Sequence, residues 1–397
     1  MTLDPLSPKG EKFLIHSSQL KGSSSRLLPA NPAASLERQT HSSYDEDLNT
    51  NAIHPSSKEL GFLASKDKWI GVHTGGAHGL DHLGVLCAGL QIPLLVSEKE
   101  TFLIAKQFYP DLHVEYRDLS ELSSDFLTNY ADVIFTSSHF FAAQFIPQCA
   151  LLHGKKMRVV YCPHGNSDKN LGTIQKDISL IYGDHMKEHL QKTGEINHIE
   201  TLVVSGNYRK LYYNTHRKRL DALLQTPSQK TVFYAPTHDT SSFTHTVRII
   251  EEISPFFHLL IRWHPFLHDL YPVESEKLKD VCEKNPNVTD LSSFPVIYPI
   301  LSQSDFYLGD ASSIGYDFLT FNKPLFFLGH STGEIYNCGI ILQEDEHWGE
   351  KITQFQDTAL LSQKRKALAF DVFGETKSYE QLRMDLEMAL AYQEFGN

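Results

Sequence analysis

The chain lacks any uninterrupted apolar run near the roughly 18–20 residues that a membrane-spanning helix needs. It is also poor in cysteine: Cys87, Cys149, Cys162, Cys282 and Cys338 lie far apart, with no CxxC pair. That spacing excludes a disulfide scaffold and a zinc ribbon and predicts reduced thiols. Positive charge is short, with 36 Lys and Arg against 48 Asp and Glu and a formal net charge of −12. Such a balance argues against backbone-tracking nucleic-acid binding and against strong docking on anionic lipid. Neither GxxxxGK[ST] nor GxGxxG occurs, which removes the main support for P-loop and dinucleotide-binding readings. The opening MTLDPLSPKGEKFLIHSSQL has no sustained apolar core after a basic start, so no secretory signal is expected. A cytoplasmic chain, at most peripheral to a membrane, is the resulting expectation.

What is present is an ordinary globular composition, 41% hydrophobic over 397 residues, enough for two domains of about 100–200 residues each. Residues 1–60 stand apart. They are rich in Ser, Pro, Asn and Thr and carry no apolar period, so a disordered or loosely packed segment is expected, with at most a short helix near Glu11–Leu20. From Lys68 onward, short apolar runs alternate with helix-length patterns. The runs are Trp69–Val72, Pro93–Val96, Asp132–Phe135, Arg158–Tyr161, Leu180–Tyr182, Thr201–Val204, Thr231–Tyr234, His258–Ile261, Asp305–Leu308 and Pro324–Leu328. Their Val, Ile, Leu, Phe and Tyr content fits strands buried on both faces, and the alternation predicts parallel βαβ units. So many strands exceed one comfortable core, which predicts an α/β protein of two doubly wound domains. We place the first domain at 61–215 and the second at 216–397, joined in the polar stretch Arg209–Lys230. A closing helix over Ser378–Glu394 is expected to pack back across the join.

In open α/β sheets, ligands meet the residues just beyond the strands' carboxyl ends. After Arg158–Tyr161 come Cys162-Pro163-His164-Gly165-Asn166. A His on a stiff turn, with an unperturbed pKa of about 6.5, suits a general base; it equally suits a loop His capping a carbonyl. After Thr231–Tyr234 come Ala235-Pro236-Thr237-His238-Asp239, whose hydroxyls and N–H groups fit phosphate oxygens or an ordinary helix cap. After His258–Ile261, Arg262 and His264 make a compact cationic pair apt for a pyrophosphate, although Arg262 also fits a structural ion pair. After Asp305–Leu308, the crowd Gly309-Asp310-Ala311-Ser312-Ser313 opens an apolar helix and is the strongest local signal for an anion site. In the first half, His73-Thr74-Gly75-Gly76-Ala77-His78-Gly79-Leu80-Asp81-His82 follows a strand. Its Gly75 and Gly76 allow close ligand approach, or simply a flexible loop. His78 and His82 are four apart, but no third ligand of suitable spacing accompanies them, so no metal site is assigned.

Taken in order, YCPHG, YAPTHD, IRWHP and DFYLGDASSIGYDFLTFNKPLFF resemble the CDP-glycerol glycerophosphotransferase family of teichoic-acid polymerases and primases. The resemblance covers Val159 to Phe327 and is clearest at YAPT, at HP and from Ser304 to Pro324. It implies a GT-B architecture, two facing Rossmann-like domains with the active site in the cleft. It implies His164 as the base and His264 as a phosphate contact. Ser312 and Ser313 become the nucleotide phosphate cradle, with Pro236, Thr237 and Arg262 beside them and Asp310 and Asp317 as motif acids. Gly75, Gly76 and His78 fall on the acceptor side. The implied donor is CDP-glycerol or a related CDP-polyol, and the implied acceptor a polyol or glycan hydroxyl, lipid-linked in some relatives, with CMP released. The motifs themselves require no divalent ion. This chain departs from the family pattern after HG (CPHGNSDKN), after YAPT (His238-Asp239) and after HP (Phe266-Leu267-His268-Asp269), where the family carries basic residues. Two other readings stay open: a GT-B glycosyltransferase with a nucleotide-sugar donor, and a catalytically silent GT-B binding module.

Overall fold

A computed structural model describes residues 68–166, 176–237, 242–329 and 333–395. All fall in one compact unit, Asn51–Asn397. The segment 1–60, with its expected helix near Glu11–Leu20, lies outside the described residues, as do Lys169, His238 and Asp239.

Among the described residues, thirteen strands form two all-parallel sheets. The first takes β1 (Trp69–His73), β2 (Leu94–Val96), β3 (Val114–Tyr116), β4 (Val133–Thr136), β5 (Arg158–Tyr161), β6 (Lys176–Ile181) and β7 (Ile199–Val204) in the order β3-β2-β1-β4-β5-β6-β7. The second takes β8 (Thr231–Ala235), β9 (His258–Ile261), β10 (Val288–Asp290), β11 (Phe306–Gly309), β12 (Leu325–Leu328) and β13 (Ile340–Leu342) in the order β10-β9-β8-β11-β12-β13. Each order reverses direction once, between β1 and β4 and between β8 and β11. Two parallel-sheet α/β domains of GT-B type result, with a ligand crevice expected at each reversal.

Every residue of β1, β8, β9 and β12 is buried. Their alternating side chains feed different layers. Ile70, Val72 and Ile134 pack with Phe141 and Met157 on one face, while Trp69, Leu94 and Phe135 join a core on the other. That second core continues without a break into Tyr298, Tyr307 and Phe327 of the other domain. Each fully buried side chain of this kind contributes about 1.5–3 kcal/mol, so the join is held largely by ordinary apolar packing.

The polar stretch Arg209–Lys230 is mostly a helix, Tyr208–Ala222, which buries Arg209, Tyr212 and Tyr213. After β9 come two helices, Pro265–Leu270 and Pro272–Lys284, because a proline at the start of the second cannot continue the first. The last helix, Tyr379–Phe395, packs on the first sheet's side. Arg158 and Arg383 donate to the carbonyls of Leu390 and Leu90 at 2.7 and 2.9 Å. The Tyr379 ring covers Gly89 so closely that a Cβ there would lie 2.0 Å away.

Candidate active site where the two sheets meet

Beyond β8, Pro236 is buried and Thr237 turns toward β11. The Asp310 carboxylate, only 4% exposed, accepts from the Thr237 N–H (2.9 Å) and hydroxyl (3.2 Å) and from the Ser242 N–H (3.2 Å) and hydroxyl (2.8 Å). Burial raises its pKa and these four bonds oppose the rise. Asp310 therefore ties the loop across the reversal point and does not reach toward a ligand. Ser312 caps the helix Ser313–Leu319 by accepting from Gly315 N–H at 3.3 Å, and its hydroxyl also meets Tyr307 OH at 3.2 Å.

Arg262 leaves the end of β9. One of its terminal nitrogens reaches the Pro295 carbonyl at 3.5 Å; the other, Nη1, is buried with no partner among the described residues. Burial lowers the pKa of this guanidinium, offset in part by Asp81 and Tyr109. A buried, unsatisfied cationic donor is costly, and an anion is the group that would satisfy it. His264 caps the helix Pro265–Leu270, its Nδ1 accepting from Phe266 N–H at 3.2 Å. In a neutral ring that bond leaves the proton on Nε2, so the outer nitrogen is a donor.

On the first sheet, the loop after β1 is wound around His73. Its Nε2 meets Gly76 O at 2.9 Å, and Thr101 donates to Gly75 O at 3.0 Å. The His73 ring occupies the space above Gly79, where a Cβ would lie 2.2 Å away, so only glycine fits. His78 projects from this loop into solvent contact. The protein around it, with His73, His164 and Arg262 nearby, pulls its imidazole down to about 4. His82 is held well below the ordinary value by burial first and by Arg209 second. Its ring faces that of exposed His164, centroids 6.4 Å apart.

The two sheets touch at Gly165. With φ of +109° it occupies a conformation that other residues avoid. A Cβ there would lie 2.8 Å from Ser313 Cβ and 3.4 Å from His82. The loop carrying His164 thus abuts the first residue of the Ser313–Leu319 helix. Next to it, Asn166 pairs with His185 at 3.0 Å, and the His185 ring lies 5.2 Å from that of Tyr316 on the same helix.

Beneath this contact lies a network that the sequence reading missed. Arg209 donates to Asp81 Oδ2 (2.6 Å), to Asp81 O (2.8 Å) and to Asp317 Oδ2 (2.6 Å). Tyr298 OH adds a bond to the other Asp317 oxygen at 3.1 Å. All three charged residues are at most 4% exposed. Asp317, expected among the donor-binding residues, is instead fully engaged in this network, because burial leaves its carboxylate no route to a ligand. No group of three His, Cys, Asp or Glu among the described residues is placed to hold a metal, and the five cysteines are free and buried.

The structure thus brings His164, through Gly165, to Ser313, sets His78 and Arg262 close enough to influence each other, and joins Asp310 to Thr237. Residues 208–332 match the model of the CDP-glycerol:poly(glycerophosphate) glycerophosphotransferase family. The match starts at the Arg209 helix and takes in Pro236, Arg262, His264 and the Ser312–Ser313 helix. Among solved structures, the chain is similar to the wall teichoic acid polymerase TagF, with 13% identity over 85% of this chain and 93% of that one and a TM-score of 0.55. It is also similar to S. aureus MnaA with UDP (14% identity, 81% and 96% covered, TM-score 0.52). A UDP-GlcNAc 2-epimerase from Neisseria meningitidis bound to UDP-GlcNAc compares at 15% identity, 81% and 99% covered, TM-score 0.50. These likenesses establish the fold. No curated protein matches the sequence. The fold shared with these structures is of GT-B type. Among the described residues, no helix is long and apolar enough to cross a membrane.

Proposed function

We propose that the chain transfers a glycerophosphate, or a related polyol phosphate, from CDP-glycerol to an acceptor hydroxyl and releases CMP. The observation that carries this reading is the contact of Gly165 with Ser313, which sets a histidine-bearing loop of one sheet against the anion-facing end of the other. In this scheme the acceptor oxygen forms a bond to the β-phosphorus as the bond to the bridging oxygen breaks. His164 takes the acceptor's proton. Arg262 Nη1 and His264 Nε2–H meet the phosphate oxygens, and Ser312 and Ser313 close around them. Pro236 and Thr237, fixed by Asp310, form the floor under the nucleotide. Positioning and fixed charge carry most phosphoryl-transfer catalysis, which suits a site of preset donors. The acceptor enters over Gly75, Gly76 and His78. The reading makes the chain a cytoplasmic enzyme, peripheral to a membrane where its acceptor is lipid-linked.

The test is a thermal-shift panel on the purified chain with CDP-glycerol, CDP-ribitol, CMP and UDP-N-acetylglucosamine. A ligand at about 100 times its dissociation constant adds about 2.7 kcal/mol of stability. Stabilisation by the cytidine compounds, with CMP release lost in His164→Ala, is the expected result. Stabilisation by the uridine compound alone would replace this donor with a nucleotide sugar. Silence across the panel would leave a binding module without the proposed donor site.

A further inference from the structure

The helix Tyr208–Ala222 opens with three residues that each reach a different part of the crevice. Tyr208 OH lies 3.2 Å from Cys162 Sγ, at the foot of the turn that carries His164. Arg209 donates to Asp81 in the loop after β1 and to Asp317 in the helix Ser313–Leu319. Lys210 Nζ donates at 2.6 Å to Thr320 O, where that helix ends. Tyr208 and Arg209 are at most 3% exposed.

The Arg209 contacts close a ring. From Arg209 one path runs through Asp81 to His82, its neighbour in the chain, whose Cε1 would lie 3.4 Å from a Cβ at Gly165. The other runs through Asp317, about one helical turn beyond Ser313, whose Cβ would lie 2.8 Å from the same atom. The two paths meet where the His164 turn abuts the first residue of the cradle helix. Such a ring cannot widen there unless Arg209 releases a carboxylate, and a buried carboxylate without its cation is costly. Domains of one chain move against each other by default, unless their interface is large and apolar. Here the apolar core runs unbroken across the join, from Leu86 and Tyr109 to Tyr298 and Phe327.

Resting on the catalytic reading above, we propose that Arg209 is a positioning residue: it presets the spacing between His164 and the Ser312–Ser313 cradle, so that the crevice works at one width without hinge closure. A base and a phosphate cradle held in place beforehand spare the reaction the cost of assembling them, and a misplacement of about 1 Å lowers the rate about 10²-fold.

The first arm of the experiment reads the width directly. Gln144 and Glu276 are exposed on the helices His139–His153 and Pro272–Lys284, one in each domain, and the five native cysteines are buried. Spin labels on Gln144→Cys/Glu276→Cys in the full chain should give one narrow distance distribution, the same with and without CDP-glycerol. A shift on adding CDP-glycerol, or a second population, overturns the proposal. The second arm adds Arg209→Met/Asp81→Asn/Asp317→Asn, which removes the three charges together. The kcat for CMP release from CDP-glycerol, with glycerol as acceptor, should fall about 10²-fold while the calorimetric affinity for CDP-glycerol holds. A parental kcat in this variant reduces Arg209 to a structural tie and overturns the proposal; if the variant does not fold, the label distances decide alone. Absence of any thermal stabilisation of the parent by CDP-glycerol marks failure of the donor reading instead. The ligand-free distances, expected narrow in the parent and broad in the triple variant, judge the spacing in that case too.

Discussion

Both sheets follow the same order over six strands, the first adding a seventh at its edge, yet the ends of their strands are equipped differently. The second sheet holds a carboxylate, Asp310, that accepts four bonds in shaping a loop, and at the end of β9 an arginine with one buried nitrogen left without a partner among the described residues. The first holds His73, His78 and His82, whose pKa values burial lowers, with nearby basic groups adding to the effect at His78 and His82. The scaffold contributes the crevice, and the few residues past each strand decide what it receives. In one crevice a charged donor is left without a partner among the described residues; the other is lined by imidazoles, with His73 already bonded to Gly76 O.

The largest expected effect breaks this pairing of roles directly. His164→Ala should lower CMP release by about 10²–10⁴-fold while leaving the thermal response to CDP-glycerol intact. Unchanged turnover would remove His164 as the base. Next comes Arg209→Met, which leaves Asp81 and Asp317 buried without their cation. A loss of about 3–5 kcal/mol in urea unfolding is expected. The triple variant Arg209→Met/Asp81→Asn/Asp317→Asn should regain most of it, and a single variant as stable as the parent would dissolve the network as a support. Arg262→Ala sharpens the comparison further. Losing one charge-assisted bond, worth about 1.5–3 kcal/mol, should weaken CDP-glycerol binding in calorimetry with the acceptor's KM unmoved; an acceptor effect of equal size would erase the division between the two ends.

The smallest effect is in pH. His73, His78 and His82 all have folded values below the ordinary 6.5. Below that value the unfolded chain binds protons that the folded chain refuses, so stability is full above 6.5 and falls as the pH drops toward about 4, where His78 titrates. Asp310 and Asp317, raised by burial, act in the opposite sense at the acid end of the window. His82→Gln should flatten the fall, as read by unfolding free energies at stepped pH; an unchanged slope would mean that His82 does not contribute.

Much of the scaffold was legible from the chain alone. Each of the ten apolar runs overlaps a strand, because strands covered on both faces must be apolar throughout. The three strands not anticipated, β3, β10 and β13, have three residues each and all lie at sheet edges, where one side is left open and sequences such as VEY and VTD suffice. The candidate site residues read from the sequence are those where a motif ends a strand. Arg209 was not among them, since its partners lie 128 and 108 positions away and no local pattern signals a buried charge. Asp317 reads as a motif acid for the same reason: nothing adjacent in sequence shows that a cation lies behind it.

The placement of the helix Tyr379–Phe395 has a consequence for how the protein is made. The first domain is finished by a helix that follows the whole second sheet in the chain, and until it emerges Trp69 and Gly89 lack the Arg383 and Tyr379 that cover them. A nascent chain therefore completes its second sheet while the first still shows an uncovered flank. The halves of the crevice become a finished pair only once that helix has left the ribosome.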